Sequence, residues 1–239
     1  MNELKLTRDE RAAIDSDHWF STLSATLRHD ILRCVYVKRF EDGEPICTHD
    51  RPPEAWFACA RGAMRASTAS PSGRQITFAY AAPGMWFGEI PIFEGNQRSH
   101  GVYAHGRTKA ICVAKTDFRK ILARHVEFYE ALLQLHASRI DQLIGVVADC
   151  HSLQLRARLA KQLLHLTERF GVPCPSHRNE TCIGLQLTQE ELAQLVGASR
   201  QRVNLELKAM EREEAIRVEA RGLIVCNYEV LLQIAETAS

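Results

Sequence analysis

The sequence predicts an α+β protein: an N-terminal antiparallel β-roll of the cupin-like jelly-roll kind, a long helix, and a C-terminal winged helix-turn-helix. Three observations predict it. From about Ile31 to Lys115, short alternating runs are broken by turn signals at Glu41-Asp42-Gly43, Arg61-Gly62, Ser70-Pro71-Ser72-Gly73, Pro83-Gly84 and Glu94-Gly95-Asn96, as in an antiparallel barrel or jelly roll. From Thr116-Asp117 to about Asp149 the chain has no Pro, and Gly145 alone interrupts its helix formers. Between Thr188 and Met210 two short amphipathic segments meet at a glycine, and an alternating stretch follows. The predicted domains are 1–116, a β-roll with an N-terminal helical segment; 117–150, the long helix; and 151–239, the winged helix-turn-helix.

The chain of 239 residues is long enough for two domains with real cores. Its net charge is +1, and from His151 onward eleven Lys/Arg balance eleven Asp/Glu. Non-specific polyanion binding therefore has no basis in bulk charge. Any affinity for DNA has to come from local clusters such as Arg200, Arg202, Lys208, Arg217 and Arg221. The charged start MNELKLTRDER is followed by no apolar segment, so no signal peptide is expected. No run approaches the length of a membrane span, and no membrane partner is expected. The eight cysteines (34, 47, 59, 112, 150, 174, 182 and 226) show no paired spacing, and most sit in apolar strings. Buried free thiols in a cytoplasmic protein are the expectation.

The region 188–210 carries the most chemistry. Thr188 with Glu191 forms a capping box, and Leu192, Leu195 and Val196 give the helix that follows one apolar face. Gly197-Ala198 makes the turn, and Ser199 is an N-cap for a second helix. There Val203, Leu207 and Met210 face inward, while Gln201, Asn204, Leu205 and Lys208 fall outside with Arg200 at the start. In a helix-turn-helix those outer positions meet base edges and phosphates. Two such helices also occur in ordinary bundles. The alternating Ile216–Val225 around Gly222 reads as a β-hairpin, the wing that lies against a DNA backbone.

Within the β-rich half, FGEIPIFEGNQRSHGVYA spans Phe87 to Ala104. Gly88-Glu89 opens a short turn, and Arg98-Ser99 follow in the same loop. Exposed amides and an arginine suit a phosphate, and the carboxylate suits a ribose hydroxyl. A Glu and an Arg in one loop also make a surface ion pair. On the long helix, Leu133, His136, Ile140, Leu143, Val147 and Cys150 step by three and four, with Leu132, Ile144 and Val146 widening the stripe. Such a seam packs on its own barrel or forms a coiled-coil-like dimer. The stripe is wider than one packing partner covers, so a homodimer is expected. A two-fold dimer sets two reading helices near 34 Å apart on a pseudo-palindromic operator of double-stranded DNA.

From about Ile31 to Tyr228 the chain resembles the cyclic-AMP receptor protein / Fnr (Crp/Fnr) family of bacterial transcription regulators. The motifs that carry the resemblance are FGEIPIFEGNQRS and LTQEELAQLVGASRQRVNLELKAME. It implies a cyclic-nucleotide-binding β-roll, with Gly88 and Glu89 facing the ribose and Arg98 and Ser99 facing the cyclic phosphate of an effector. It also implies DNA contacts from Thr188, Ser199, Arg200, Gln201, Arg202, Asn204 and Lys208. The loop Gly171–Gly184 sits where relatives touch RNA polymerase.

The chain also departs from the family pattern. Alignment on Ala157–Leu166 puts Leu143 and Ile144 where cyclic-AMP-responsive members carry a Thr-Ser pair that holds the adenine. Apolar side chains leave those ligand groups unpaired, at about 1–3 kcal/mol each. His100 replaces a small residue after Arg-Ser. No cofactor is therefore fixed: a cyclic nucleotide is the implied class, with Leu143 and Ile144 arguing against cyclic AMP. Gln201 and Leu205 replace a frequent Glu and a frequent Arg, so the half-site differs from the TGTGA type. Alternatives of the same fold are a ligand-independent regulator and a haem- or redox-sensing one. A cupin-type metalloenzyme would need a His-x-His with a nearby Glu, which His49, His100 and His105 do not supply. No catalytic triad or metal set stands out, so no enzyme is expected.

Overall fold

A computed structural model describes residues 6–49, 51–70, 75–95, 100–175, 179–219 and 222–237. The chain splits into two compact units, Met1–Ile140 and Asp141–Ser239.

The first unit opens with three helices, each started by a side-chain cap. Thr7 and Glu10 form a capping box for α1 (Arg8–Ser16). Asp17 caps α2 (His18–Thr22) through the Phe20 amide at 2.9 Å, and Ser24 caps α3 (Ala25–Arg33) through the Leu27 amide at 3.3 Å. The β region thus begins at Val35 and not near Ile31. Ile31 belongs to α3, where it and Leu27, one turn apart, are both fully buried.

The strands are β1 (Val35–Phe40), β2 (Pro45–Cys47), β3 (Ala55–Ala69), β4 (Gln75–Ala81), β5 (Trp86–Phe87) and, after the short helix α4 (Ile90–Glu94), β6 (Gly101–Ala114). They pair antiparallel in the order β1-β6-β3-β4, with β2 on β6 and β5 on β3. The long β3–β6 ladder runs from Ala55↔Ala114 to Ser67↔Gly101 with shifts around Cys59–Ala63. Gly62, inside that irregularity, has φ +80°, and a Cβ there would lie 2.6 Å from the Arg107 carbonyl oxygen. Only glycine fits that crossing.

The single long helix expected over 117–150 is two helices, α5 (Lys115–Arg124) and α6 (Glu127–Ser152). The break falls at His125-Val126, where no Pro or Gly marks it. His125 is buried and leaves the helical region (φ −117°, ψ 89°). Its ring nitrogens lie 3.0 Å from Asp30 on α3 and 3.2 Å from Glu127. A tertiary network therefore ends α5. Leu132, read as part of the exposed stripe, is instead 2 % exposed and packs in the core.

That core gathers Ile14, Phe20, Leu27 and Ile31 from the N-terminal helices with Trp56, Trp86, Ile111, Phe118 and Phe128. Trp56 and Trp86 stack at 4.1 Å between centroids, and Phe20 stacks on Trp86 at 5.2 Å. Each such ring contributes about 1.5–3 kcal/mol by burial, with about 0.5–1.5 more per aromatic pair. Beside this cluster a buried ion pair, Lys109 with Glu10, ties α1 to β6.

The second unit consists of α7 (Leu155–Phe170), β7 (Gly171–Pro173), β8 (Thr181–Ile183), α8 (Gln189–Val196), α9 (Arg200–Arg212), β9 (Ile216–Glu219), β10 (Gly222–Val225) and α10 (Tyr228–Glu236). Its sheet has the order β7-β8-β10-β9. The expected hairpin Ile216–Val225 is β9–β10, paired from Val225↔Ile216 to Gly222↔Glu219. Gly171–Gly184, read as a surface loop, contributes two strands instead. Val172 opposes Cys182, and Cys182 opposes Ile224, so the segment widens the hairpin into a four-stranded sheet.

All eight cysteines are free, but fewer are buried than their apolar context suggests. Cys59, Cys112 and Cys174 are buried, Cys150 is exposed and the rest are half-buried. Among the described residues, no helix is long and apolar enough to cross a membrane.

Candidate functional site

Two places carry the expected chemistry, one in each unit. In the first unit the chain leaves β5 through Gly88 at φ +93° and enters α4 through Glu89, which is 1 % exposed. A fully buried carboxylate needs partners. Trp56 Nε1 donates to Oε2 at 3.1 Å, and Arg139 Nη1 donates to Oε1 at 3.1 Å. His136 Nε2 lies 3.2 Å from the same Oε1. Arg139 also donates to the Trp86 carbonyl oxygen, so one guanidinium holds both the strand before the turn and the carboxylate after it. A carboxylate has about four acceptor positions. Hydrogen bonds from Trp56 and Arg139 take two of them, which leaves acceptor capacity for a further donor such as a hydroxyl.

His136 and Arg139 are one turn apart on α6 and therefore share a face. Sequence reasoning placed His136 on the helix seam and missed Arg139 and Trp56. The available signal was two cationic or polar side chains at i, i+3 beside an otherwise apolar stripe. Arg98 and Ser99, the expected phosphate partners, lie outside the described residues. Leu143 and Ile144 lie on α6 with 63 % and 61 % exposure. Neither has a hydrogen-bonding side chain to offer a base. Among the described residues no group of three or more His, Cys, Asp or Glu side chains could hold a metal ion.

In the second unit the turn between α8 and α9 has the local chemistry read from the sequence. The Glu191 amide donates to Thr188 Oγ1 at 3.1 Å, and the Thr188 amide donates to Glu191 Oε2 at 2.9 Å. Gly197, just past α8, sits at φ +64°. Its amide donates to the Gln194 carbonyl, and the Ala198 amide reaches back to Ala193. This is the paired closure of a helix end by a left-handed residue. Ser199 Oγ accepts from the Arg202 amide at 3.4 Å and starts α9. Arg158 on α7 donates to the carbonyl oxygens of Leu153 and Val196, placing a cation at the C-terminal end of α8.

Helix α9 buries Val203, Leu207 and Met210 and exposes Arg200, Gln201, Arg202, Leu205 and Lys208. Thr188 and Ser199 are exposed, with their hydroxyls engaged as caps. Asn204 is half-buried, and its Oδ1 accepts from Gln189 Nε2 of α8 at 3.0 Å. Gln189, missed in the sequence, thus orients a residue of the outer face. Arg217, expected to lend positive charge to the wing, is instead gripped by carboxylates. Its guanidinium donates to both oxygens of Glu180, at 3.0 and 2.6 Å, and to Glu219 at 2.8 Å. Arg221 lies outside the described residues.

Comparison with known proteins agrees with this division. Residues 37–125 match the model of the cyclic nucleotide-binding domain, and residues 157–234 match that of the Crp-like helix-turn-helix domain. A CRP-like cAMP-activated global transcriptional regulator of Mycobacterium tuberculosis is 29 % identical over 196 residues, covering 82 % of this chain and 86 % of the relative. The global nitrogen regulator of Synechococcus elongatus is 27 % identical over 202 residues, 83 % of this chain and 89 % of the relative. Among solved structures, FixK2 from Bradyrhizobium japonicum shares the fold with a TM-score of 0.74 at 18 % identity, covering 86 % of this chain and 99 % of that one. A CRP-family transcriptional regulator from Thermus thermophilus shares it with a TM-score of 0.68 at 22 % identity, over 84 % and 97 %. The chain belongs to the cyclic-AMP receptor protein / Fnr family, and is a DNA-binding transcription regulator with an effector-binding domain.

Proposed function

We propose that the protein acts as a homodimer that reads a pseudo-palindromic duplex through α9. In this division of labour, residues 1–116 sense, 117–150 dimerise and 151–239 bind DNA and meet RNA polymerase. The observation that carries the reading is the outer face of α9, where Arg200, Gln201, Arg202 and Lys208 stand exposed on a helix firmly capped at its start. Such a face offers amide and guanidinium donors to base edges and phosphates at once. The dimer rests on α6, where Leu133 is 69 % exposed, Ile140 56 %, Leu143 63 % and Val147 58 % at seam spacing. Apolar surface of that extent on one helix marks an interface.

The effector we propose is an anionic small molecule of the cyclic-nucleotide class, seated at Gly88, Glu89, Arg98 and Ser99, with Leu143 and Ile144 contributing apolar contact alone. The acceptor capacity left on Glu89 supports a ribose hydroxyl, and the missing donors at Leu143 and Ile144 weigh against adenine. The engagement of Glu89 by Trp56, His136 and Arg139 favours a second reading: a cassette held by its own side chains, in a regulator that needs no ligand.

Calorimetry with cyclic AMP and cyclic GMP, with Arg98→Ala as control, separates the two. Heat that is lost in the variant supports the cassette. No heat with either nucleotide, together with DNA binding in their absence, supports the second reading. Sedimentation of the Leu143→Asp variant as a monomer is the outcome expected of the dimer. If Leu143→Asp remains dimeric, α6 is not the interface.

A further inference from the structure

On α9, Leu205 is 66 % exposed, while Val203, Leu207 and Met210 of the same helix are at most 2 % exposed. It stands between Gln201 at i−4 and Lys208 at i+3, both exposed, so the three form one stripe along the helix. Arg200 and Arg202 are exposed at the start of the same helix. A leucine in the middle of a polar and cationic face gains nothing from phosphate or water. The major groove offers one apolar feature, the C5-methyl group of thymine. We infer that Leu205 is a specificity-determining residue that packs on a thymine methyl group in each half-site. This rests on the reading above, that α9 enters the major groove.

The neighbours of Leu205 fix where that thymine lies. Gln201 and Leu205 are four residues apart, about 6 Å along the helix axis. Successive bases on a strand are about 3.4 Å apart. The thymine therefore falls about two base steps from the base that Gln201 meets. Asn204, the residue before, is tied by Gln189, whose Nε2 donates to Asn204 Oδ1 at 3.0 Å. It presents an amide donor beside the leucine, which suits an acceptor such as thymine O4 or purine N7. The expected half-site thus carries a thymine whose discrimination comes from the methyl group, with hydrogen-bonded readout on either side.

The test uses the full-length protein and a random-sequence duplex library, selected with and without cyclic AMP. Each thymine of the enriched duplex is then replaced singly by deoxyuridine, which removes the methyl group and keeps every hydrogen-bonding edge. At one thymine per half-site the wild type should lose about fourfold in affinity, the contribution of one buried methyl group. The Leu205→Ala protein should bind the thymine and deoxyuridine duplexes equally.

If no thymine is sensitive in the wild type, or if Leu205→Ala remains equally sensitive, the assignment of Leu205 is wrong while α9 can still read DNA. Arg200→Ala reports on the underlying reading. Unchanged affinity in that variant, or no enriched sequence in either selection, overturns the docking of α9 and the inference with it.

Discussion

Arg139→Ala is the most informative single change in the first unit. The guanidinium is the cation for a carboxylate that is 1 % exposed, and it also holds the Trp86 carbonyl oxygen. Breaking a fully buried pair costs about 3–5 kcal/mol. The Arg139 side chain is 30 % exposed, so water screens part of the loss, and about 2 kcal/mol is the better figure for the pair. The lost hydrogen bond to Trp86 adds about 1 kcal/mol, for a total near 3. Glu89→Gln, which keeps the shape and one of the two acceptor oxygens, should cost about 1 kcal/mol because Arg139 can turn to solvent. All three tryptophans of the chain, Trp19, Trp56 and Trp86, lie in the aromatic cluster next to this pair. Urea unfolding followed by tryptophan fluorescence therefore reports the first unit. The double-mutant cycle should give a coupling of about 2 kcal/mol. A coupling below about 0.5 kcal/mol would refute the claim that this pair anchors the cassette to α6.

Further outcomes are expected elsewhere. Glu214 ends α9 at φ +58°, with its amide on the Glu211 carbonyl and the Ala215 amide on that of Met210. Only glycine adopts that position freely, so Glu214→Gly should stabilise the second unit by about 1 kcal/mol in thermal denaturation. His125 is raised above its ordinary value of 6.5, first by the Asp30 hydrogen bond and then by Glu127, with burial opposing. Its contribution is fully present below pH 6.5 and is lost as pH rises through the folded value. The melting-temperature gap between wild type and His125→Gln should narrow as pH rises above about 6.5, and a constant gap would sink this reading. Burial alone would raise the Glu10 carboxyl, but hydrogen bonds from Lys109 and the Thr7 amide leave it lowered. Lys109→Met should cost about 3 kcal/mol at neutral pH, and adding Glu10→Gln should restore most of it. Failure of that rescue would show that Lys109 acts through packing.

The second unit was the more legible of the two because its signals are local. Thr188 with Glu191, Gly197 and Ser199 each act within three or four residues of themselves, and the helix pair they predict is the one observed. The wing was legible from alternation around Gly222 for the same reason. What the sequence hid lies across distance. The partners of Glu89 are 33 and 50 residues away, at Trp56 and Arg139. The break between α5 and α6 depends on Asp30, 95 residues from His125, and no helix-breaking residue announces it. Strands β7 and β8 are three residues each, too short to show a period, and they exist through pairing with β10.

The grip on Arg217 has a consequence for how the protein distributes itself on a chromosome. Arg217 and Arg156 are neutralised by Glu180, Glu219 and Glu213, and Lys161 by Asp149, within the DNA-binding unit itself. Affinity for arbitrary sequence scales with the number of phosphates neutralised. With three of its eleven cationic side chains already paired internally, the unit is expected to hold bulk DNA less tightly than its Lys and Arg count suggests. On the reading proposed above, operator occupancy is then expected to follow the amount of competent protein closely, because less of it is buffered on other sequence.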